Sequence, residues 1–548
     1  MINVCAKAHL DGTLYSRSSV STMGCDNGHT VVTDLTISFC SPTDPPSICG
    51  LDPQKWHRIE KELYLHTARQ TAWLHVAQAK EEDLTADDLV VTDIKISDLH
   101  PDPDSDNSWE SRLAGIWVLR SNYSGDHEAI TAVDVLFGVD AVEPRPQWAL
   151  IRPPLQLKAK PEVPVAQLSV RQGTAKPKPD TPRAELRIKE DGKFKVLQIS
   201  DTHMVTGVGV CNDAMDAHRQ PLPESEADPL TVNFLSKILD IEKPDFVILT
   251  GDQLHHDILD SQSTLFKVVA PLIQRSVPYA AVFGNHDDEG TYALSRTAQM
   301  SLLQDLPFSL SQPGPEQVDG VGNYYLQVFA QAPSQLPLLT FYFLDSHGEI
   351  PSKVKNPDYG WITQSQIDWF TCTSQMLRKA HKNDNEHDPL SLVFMHIPFP
   401  EYADSGLVLR GGHRGEPTEG PSFNSHFYDA LVKEGVAAVG CGHDHVNDFC
   451  ALRPQKDGSK TPEPGPWLCY GGGSGFGGYG SYGGRRYYRR TRVWEFDTNN
   501  SDMKTWKRVE YAEERVDELV LVDGGAVATA PDDIGGGASG KSTSQDAL

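Results

Sequence analysis

No run of the 548-residue chain approaches the roughly 20 consecutive apolar residues that a helix needs to cross a bilayer. The N-terminal MINVCAKAHLDGTLYSRSS lacks the apolar segment that a secretory signal carries, so no signal is expected. Cysteine is scarce too. Nine residues over this length are too few for a disulfide scaffold, and a reducing, cytoplasmic setting is the expectation. Basic charge is the third shortage: 49 Lys and Arg stand against 75 Asp and Glu, a formal net charge of −26. That balance argues against a nucleic-acid partner, which carries charge of the same sign. What is present is a globular balance, 39% hydrophobic and 23% charged, in a chain long enough for two or more domains.

Residues 1–155 are rich in strand-like runs and poor in helical periods. Three runs look alike: VVTDLTI (31–37), VVTDIKI (90–96) and AITAVDVL (129–136). Aromatic strands precede the second and third, which predicts repeated hairpins and a pseudo-threefold all-β module. Such a module is similar to the β-prism domains of some membrane-associated adaptor proteins. That likeness implies a docking role toward a partner or a membrane surface. The plainer reading is that V/T/I runs are what any strand looks like. Residues 156–190 are rich in Pro and Lys and read as an extended linker, and the Gly/Ser/Asp-rich stretch 521–548 reads as a disordered tail.

Between them, over 191–520, buried-strand runs alternate with helical periods: KVLQIS, FVILT, PYAAVFG, LLTFYFLDS, LSLVFMH and VAAVGCGH, with helices near 362–380 and 424–434. Strand–helix alternation of this length predicts α/β layers. Polar residues of metal-binding type end five of these strands. They are Asp201 and His203; Asp252; Asn285, His286 and Asp287; His396; and His443 with His445. One strand-terminal Asp is ordinarily a turn or helix cap, and one His ordinarily a packed or surface residue. Five in succession, at the end of the sheet where α/β sites form, point to one shared centre. Gly251, Gly284 and Gly442 fit close approach of backbone to ligand. Mixed carboxylate, imidazole and amide donors suit borderline divalent ions such as Mn, Fe or Zn.

D-x-H, G-D, G-N-H-D, a strand-terminal H and G-H-x-H, in this order, resemble the calcineurin-like metallophosphoesterases over about 190–500. GNYYLQV, YFLDS, GHDHVNDFC and LCYGGGSGFGGYG are similar to a branch of fungal phosphatases and plant purple-acid-phosphatase-like proteins. The resemblance implies a four-layer α/β/β/α sandwich and two divalent metal ions. Asp201, His203, Asp252 and His445 would hold the first. Asp252, Asn285, His396 and His443 would hold the second, with Asp252 bridging. It also implies in-line attack on phosphorus by a water-derived nucleophile, with His286 as general acid and Asp287 orienting its ring. The substrate would be a phosphorylated one, a small ester or a phosphoprotein, and more readily a monoester. A phosphodiesterase acting on small diesters uses the same ligands, and a metal-binding scaffold without catalysis is the reading from another class. Purple acid phosphatases carry D-x-G and a tyrosine after G-D. Here those places hold His203 and GDQLHHD, so ferric–tyrosinate chemistry is not expected.

Other features take second place. CGHDHVNDFC (441–450) does not have zinc-finger spacing, and the distant blocks already require both of its histidines. Cys450 and Cys469 could fall on neighbouring strands and form a bridge, but buried free thiols are the expectation for a reducing compartment. The glycine tract 471–484 lacks the Lys-Ser/Thr of a nucleotide loop, and reads as either a phosphate cradle or a flexible loop. RRYYRR (485–490) reads as a phosphate attractor or a solvated strand entrance. His255 and His256 are candidates to line the pocket, and His413, in a loop, is a candidate for substrate contact.

Overall fold

The computed structural model describes residues 30–40, 51–66, 71–103, 108–125, 128–173, 185–223, 225–352, 358–382, 388–454 and 465–529. The N-terminal signal question, the middle of the expected linker and the tail beyond 529 lie outside the described residues.

The N-terminal part repeats one topology three times. Strands β1 (Thr30–Ser38), β2 (Trp56–Glu62) and β3 (Trp73–Lys80) form an antiparallel sheet in the order β1-β3-β2. Strands β4 (Leu89–Ile96), β5 (Trp109–Ser111) and β6 (Ile116–Asn122) follow as β4-β6-β5, then β7 (Ile130–Phe137), β8 (Trp148–Leu150) and β9 (Ala166–Gln172) as β7-β9-β8. The likeness extends to single residues. Pairing slips at Thr33, Thr92 and Thr131, one in the first strand of each sheet, where an extra residue bends the strand. The second strand of each sheet opens on Trp. A lone three-stranded sheet cannot bury its inner face, so the three close on each other. Leu35, Leu74, Ile94, Val118, Val135 and Leu168, two from each sheet, share one buried cluster.

Two boundaries differ from expectation. The stretch expected as a linker contains β9, the central strand of the third sheet, because AQLSVRQ sets Leu168 and Val170 into the shared core. The stretch expected as a tail begins inside an ordered strand, since Leu519, Leu521 and Val522 are buried in the core of the α/β part.

That core is built on two facing sheets. One contains β11 (Lys193–Ile199), β12 (Phe246–Thr250), β13 (Tyr279–Val282), β23 (Arg490–Asp497), β24 (Asp502–Val509), β25 (Val516–Asp523) and β26 (Ala526–Val527), in the order β13-β12-β11-β23-β24-β25-β26. The other contains β10 (Leu186–Arg187), β14 (Tyr324–Phe329), β15 (Pro337–Phe343), β16 (Leu390–Phe394), β17 (Val408–Arg410), β18 (Ala438–Cys441), β19 (Cys450–Leu452) and β20 (Trp467–Tyr470), in the order β10-β14-β15-β16-β18-β20-β19-β17. Strands β21 (Ser481–Tyr482) and β22 (Arg485–Arg486) make a small hairpin. Side-chain alternation explains the layering. In FVILT, Phe246 and Ile248 enter the core between the sheets, whereas Val247 and Leu249 face the helices Ala227–Glu242, Ser261–Gln274 and Arg296–Asp305. The second sheet is covered by Gln364–Lys382 and Phe427–Lys433. This is the α/β/β/α sandwich that the strand order implies. Among the described residues no helix is long and apolar enough to cross a membrane.

Cys450 faces Cys469 across β19 and β20, and the two are disulfide-bonded, so the expected free thiol is corrected: register brings the sulfurs together. Cys40 and Cys372 are disulfide-bonded as well. The low cysteine count therefore gives no support to a reducing compartment.

The β-module is fastened to the catalytic layers by a buried cation. Lys267, 3% exposed, donates to Asp140 of the module (2.8 Å), to Asp228 (2.5 Å) and to the carbonyls of Val205 (2.8 Å) and Gly207 (2.5 Å). Lys267→Met would leave the buried Asp228 carboxylate, and the partly buried Asp140 beside it, without their counter-charge. It should destabilise the protein by about 3–5 kcal/mol, read as a lowered midpoint in thermal or urea unfolding.

Candidate metal centre

Strands β11, β12 and β13 run parallel, as do β15, β16 and β18, so their carboxyl ends deliver loops to one region. The chain turns sharply there. Asp201, His203, Asp252 and His443 have φ of 55°, 44°, 51° and 76°, left-handed values that cost a non-glycine residue on the order of 1 kcal/mol or more. Such strain persists where the surroundings leave no alternative. The buried Asp287 carboxylate supplies part of that constraint, accepting the backbone N–H of Gly284 (2.7 Å), Leu254 (2.9 Å) and Asp252 (3.1 Å). A Cβ on Gly251 would overlap the His396 ring, one on Gly284 the Asp252 carboxylate, and one on Gly442 the Ser200 hydroxyl. The close approach expected of these glycines is present.

All seven expected ligand residues converge. Ligand atoms of Asp201, His203 and His445 lie within 4.8 Å of one another, and so do those of Asp252, His396 and His443. The Asp252 Oδ2 atom is 3.2 Å from His396 Nε2 and 3.6 Å from His203 Nε2, so one carboxylate oxygen faces both groups. Asn285 Oδ1 joins the second group, 2.9 Å from His443 Nδ1 and 3.2 Å from His396 Nε2.

The electrostatics fit cations. Burial holds the His445 imidazole down to about 3, against the pull of the Tyr479 carbonyl. Burial, and next the neighbouring His445, keeps His203 well below its ordinary value. Their Nε2 atoms stand only 3.0 Å apart, and His443 Nε2 is buried without a hydrogen-bond partner among the described residues. Converging imidazoles and carboxylates, with His203 and His445 held neutral, make a donor set that suits a divalent ion.

Beside the centre is a cleft of about 270 Å³ lined by His255, His256, His286, Glu349, Tyr359 and Glu419 along with the ligand groups. His255 and His256 thus line it as expected, and His413 is not among its lining residues. His286 stands at the cleft with its backbone N–H held by Asp252 (2.9 Å). Burial would lower its pKa, but the Asp252 charge and the Glu289 hydrogen bond outweigh that and push it up to about 9. Its Nδ1 meets Glu289 Oε2 at 2.5 Å. Asp287, expected to orient the ring, faces the backbone instead. Glu289, three residues on, takes that place, an i to i+3 spacing that was legible in GNHDDEG. The helix that follows this loop starts at Arg296, behind a Ser295 cap.

The lesser motifs resolve into scaffolding. The glycine tract packs against His203 and His445, and its Gly477, Gly478 and Tyr479 also line the cleft. Arg489 and Arg490 are buried, the first holding the carbonyls of Gly478 (3.0 Å) and Tyr479 (2.9 Å) and the second paired with Asp448. Arg485 and Arg486 are exposed outside the cleft, and no Lys or Arg lines it among the described residues. A local zinc knot is excluded because Cys450 is spent in its disulfide.

A family model for calcineurin-like phosphoesterases matches residues 194–447, the span that carries every one of these ligands. The Arabidopsis thaliana protein named probable inactive purple acid phosphatase 29 is 36% identical over 352 residues, which are 60% of this chain and 85% of that protein. The chain belongs to the calcineurin-like phosphoesterase family. It is also similar to the phosphatase DCR2 of Saccharomyces cerevisiae, at 36% identity over 393 residues. That match takes in 69% of this chain but only 64% of the yeast protein. An uncharacterised Schizosaccharomyces pombe protein matches at 29% identity over 507 residues, 90% of this chain and 89% of its own length, so the likeness extends into the β-module. Members are metal-dependent phosphoesterases with a dinuclear centre, and the donor set found here fits one.

Metal uptake should be tied to pH through His396. Burial opposes its protonation, yet the Asp252 and Asp201 carboxylates and the Thr250 carbonyl push it up to about 9, so at pH 7 the metal-free ring is protonated. It must lose that proton to bind a cation. Calorimetric titration with Mn(II) at pH 7 in buffers of different ionisation enthalpy should show release of at least one proton, and affinity should fall as pH drops from 9 to 6.

Proposed function

We propose that the chain is a phosphomonoesterase that acts on small phosphate esters or phosphoproteins through two divalent ions, Mn, Fe or Zn. The observation that carries this reading is the position of Asp252 Oδ2 between the two donor groups, with His286 standing free of both at the mouth of the cleft. Two cations bound there would supply Lewis-acid activation of water and neutralise charge on the phosphoryl oxygens.

The rest belongs to the protein's own side chains. Asp201, His203 and His445 would hold one ion, and Asn285, His396 and His443 the other, with Asp252 shared. His286 donates a proton from its ring to the departing alkoxide or phenoxide oxygen, and Glu289 keeps that ring charged and oriented. Asp287 fixes the loops that present Asp252 and His286. The plant relatives' names call them inactive, but every donor position and the general acid are present here, which supports an active centre. The β-module, fastened by Lys267 beside the loop that follows His203, is the candidate surface for docking a phosphoprotein partner.

Asp252→Asn should abolish hydrolysis of p-nitrophenyl phosphate and lower the bound metal from two ions per chain. Near-normal turnover by that variant would overturn the assignment. The bis-ester should be hydrolysed more slowly than the monoester by the unaltered enzyme, and the reverse order would move the protein among the diesterases. Glu289→Gln removes one of the charges that raise the His286 pKa. The alkaline limb of the kcat–pH profile, where the protonated acid is lost, should therefore move to lower pH by roughly one unit, while the acidic limb stays in place.

A further inference from the structure

Tyr479 lies at the end of the tract GGGSGFGGYG and holds His445 in more ways than any other residue does. Its ring stacks on the imidazole, centroids 3.9 Å apart and planes 10° from parallel. Its hydroxyl oxygen accepts the backbone N–H of His445 (3.1 Å), and its carbonyl faces His445 Nδ1 at 2.8 Å. A proton on Nδ1 satisfies that carbonyl and leaves Nε2, the atom facing Asp201 and His203, with its lone pair free. The Tyr479 hydroxyl in turn donates to both oxygens of Glu416 (2.9 and 3.0 Å), which also accepts the N–H of Val446 (3.0 Å). Behind the tyrosine, Arg489 grips its carbonyl and that of Gly478. The glycines make this contact sterically possible: a Cβ on Gly478 would stand 2.5 Å from His445 Cε1 and 2.8 Å from His203 Cδ2.

In the second donor group a backbone carbonyl likewise holds one histidine, but among the described residues no ring stacks face to face on either ligand. His396 directs Nδ1 to the Thr250 carbonyl (2.8 Å), and His443 meets Tyr359 only edge-on, with centroids 4.9 Å apart and no hydrogen bond between them.

Resting on the dinuclear reading above, we infer that Tyr479, anchored by Glu416, is a positioning residue for His445 and sets the affinity of the cation held with Asp201 and His203, leaving the other cation untouched. The glycine tract is then the bed for this clamp. Loss of a group that orients a ligating histidine lowers metal affinity by roughly 10–100-fold.

The test is calorimetric titration of the metal-free full chain with Mn(II), comparing the unaltered protein with Tyr479→Leu and Tyr479→Phe. Two binding events are expected in the unaltered protein. Tyr479→Leu should weaken one event by about 10–100-fold and the other by less than about threefold. Tyr479→Phe, which keeps the stack and loses only the hydroxyl, should weaken the same event by a smaller factor, and it decides the matter if the leucine variant does not fold. Equal weakening of both events, or of neither, overturns the role of Tyr479. If the unaltered protein binds no second ion, the dinuclear reading itself fails, and that outcome is separate.

Discussion

Donor atoms from two different sheets meet around a single carboxylate oxygen, and the rest of the catalytic half is arranged to hold it there. Asp201 and Asp252 come from strand ends of one sheet, His396, His443 and His445 from the other, so neither sheet has a complete half-site of its own. An uncompensated gathering of buried carboxylates would repel itself. Burial and the Asp252 charge raise the Asp287 carboxyl to about 7, and burial raises Asp201 as well. Bound cations would resolve this conflict, and the left-handed backbone at four of the converging residues is the conformational cost of presenting them to the same point.

Supports of different kinds keep that point in place. Asp287 binds three backbone amides of the loops that carry Asp252 and His286, a role that requires a carboxylate where no substrate reaches. Gln253 ties the loop after β12 to the Val282 carbonyl (2.9 Å), and Thr202 donates to the Gln253 carbonyl (2.9 Å). The β-module adds to this from outside through Lys267. It also stacks His66 on Tyr292, centroids 4.2 Å apart, six residues after His286. The two halves of the chain are therefore joined at the edge of the active centre, and a partner seated on the module would lie near the chemistry.

Much of this was legible from residues alone. The five strand ends could be read because buried parallel strands are near-continuous apolar runs, and a polar pair directly after such a run stands out. The repeated V-V-T-D marked the module's threefold character, and the structure shows why: the threonines sit at the bulges that bend each sheet around the core. What could not be read is where local composition and long-range pairing disagree. AQLSVRQ sits among prolines and lysines and looked like linker, yet only a strand there completes the third sheet. The pairing of Cys450 with Cys469 depends on register, which the sequence does not display. Tyr479 was hidden because a glycine-rich stretch has no periodicity, and its partner Glu416 is 63 residues away. Glu289 was within reach, three residues after His286, but Asp287 was nearer and chemically just as apt.

The central claim is that Asp252 stands between two cations, and crystallography of the protein loaded with Mn(II) tests it most directly. Anomalous difference maps should show two peaks about 3.5–4 Å apart on either side of the Asp252 carboxylate. One peak with Asp201, His203 and His445 and the other with Asn285, His396 and His443 would meet the prediction. A single peak, or two that do not share Asp252, would contradict it.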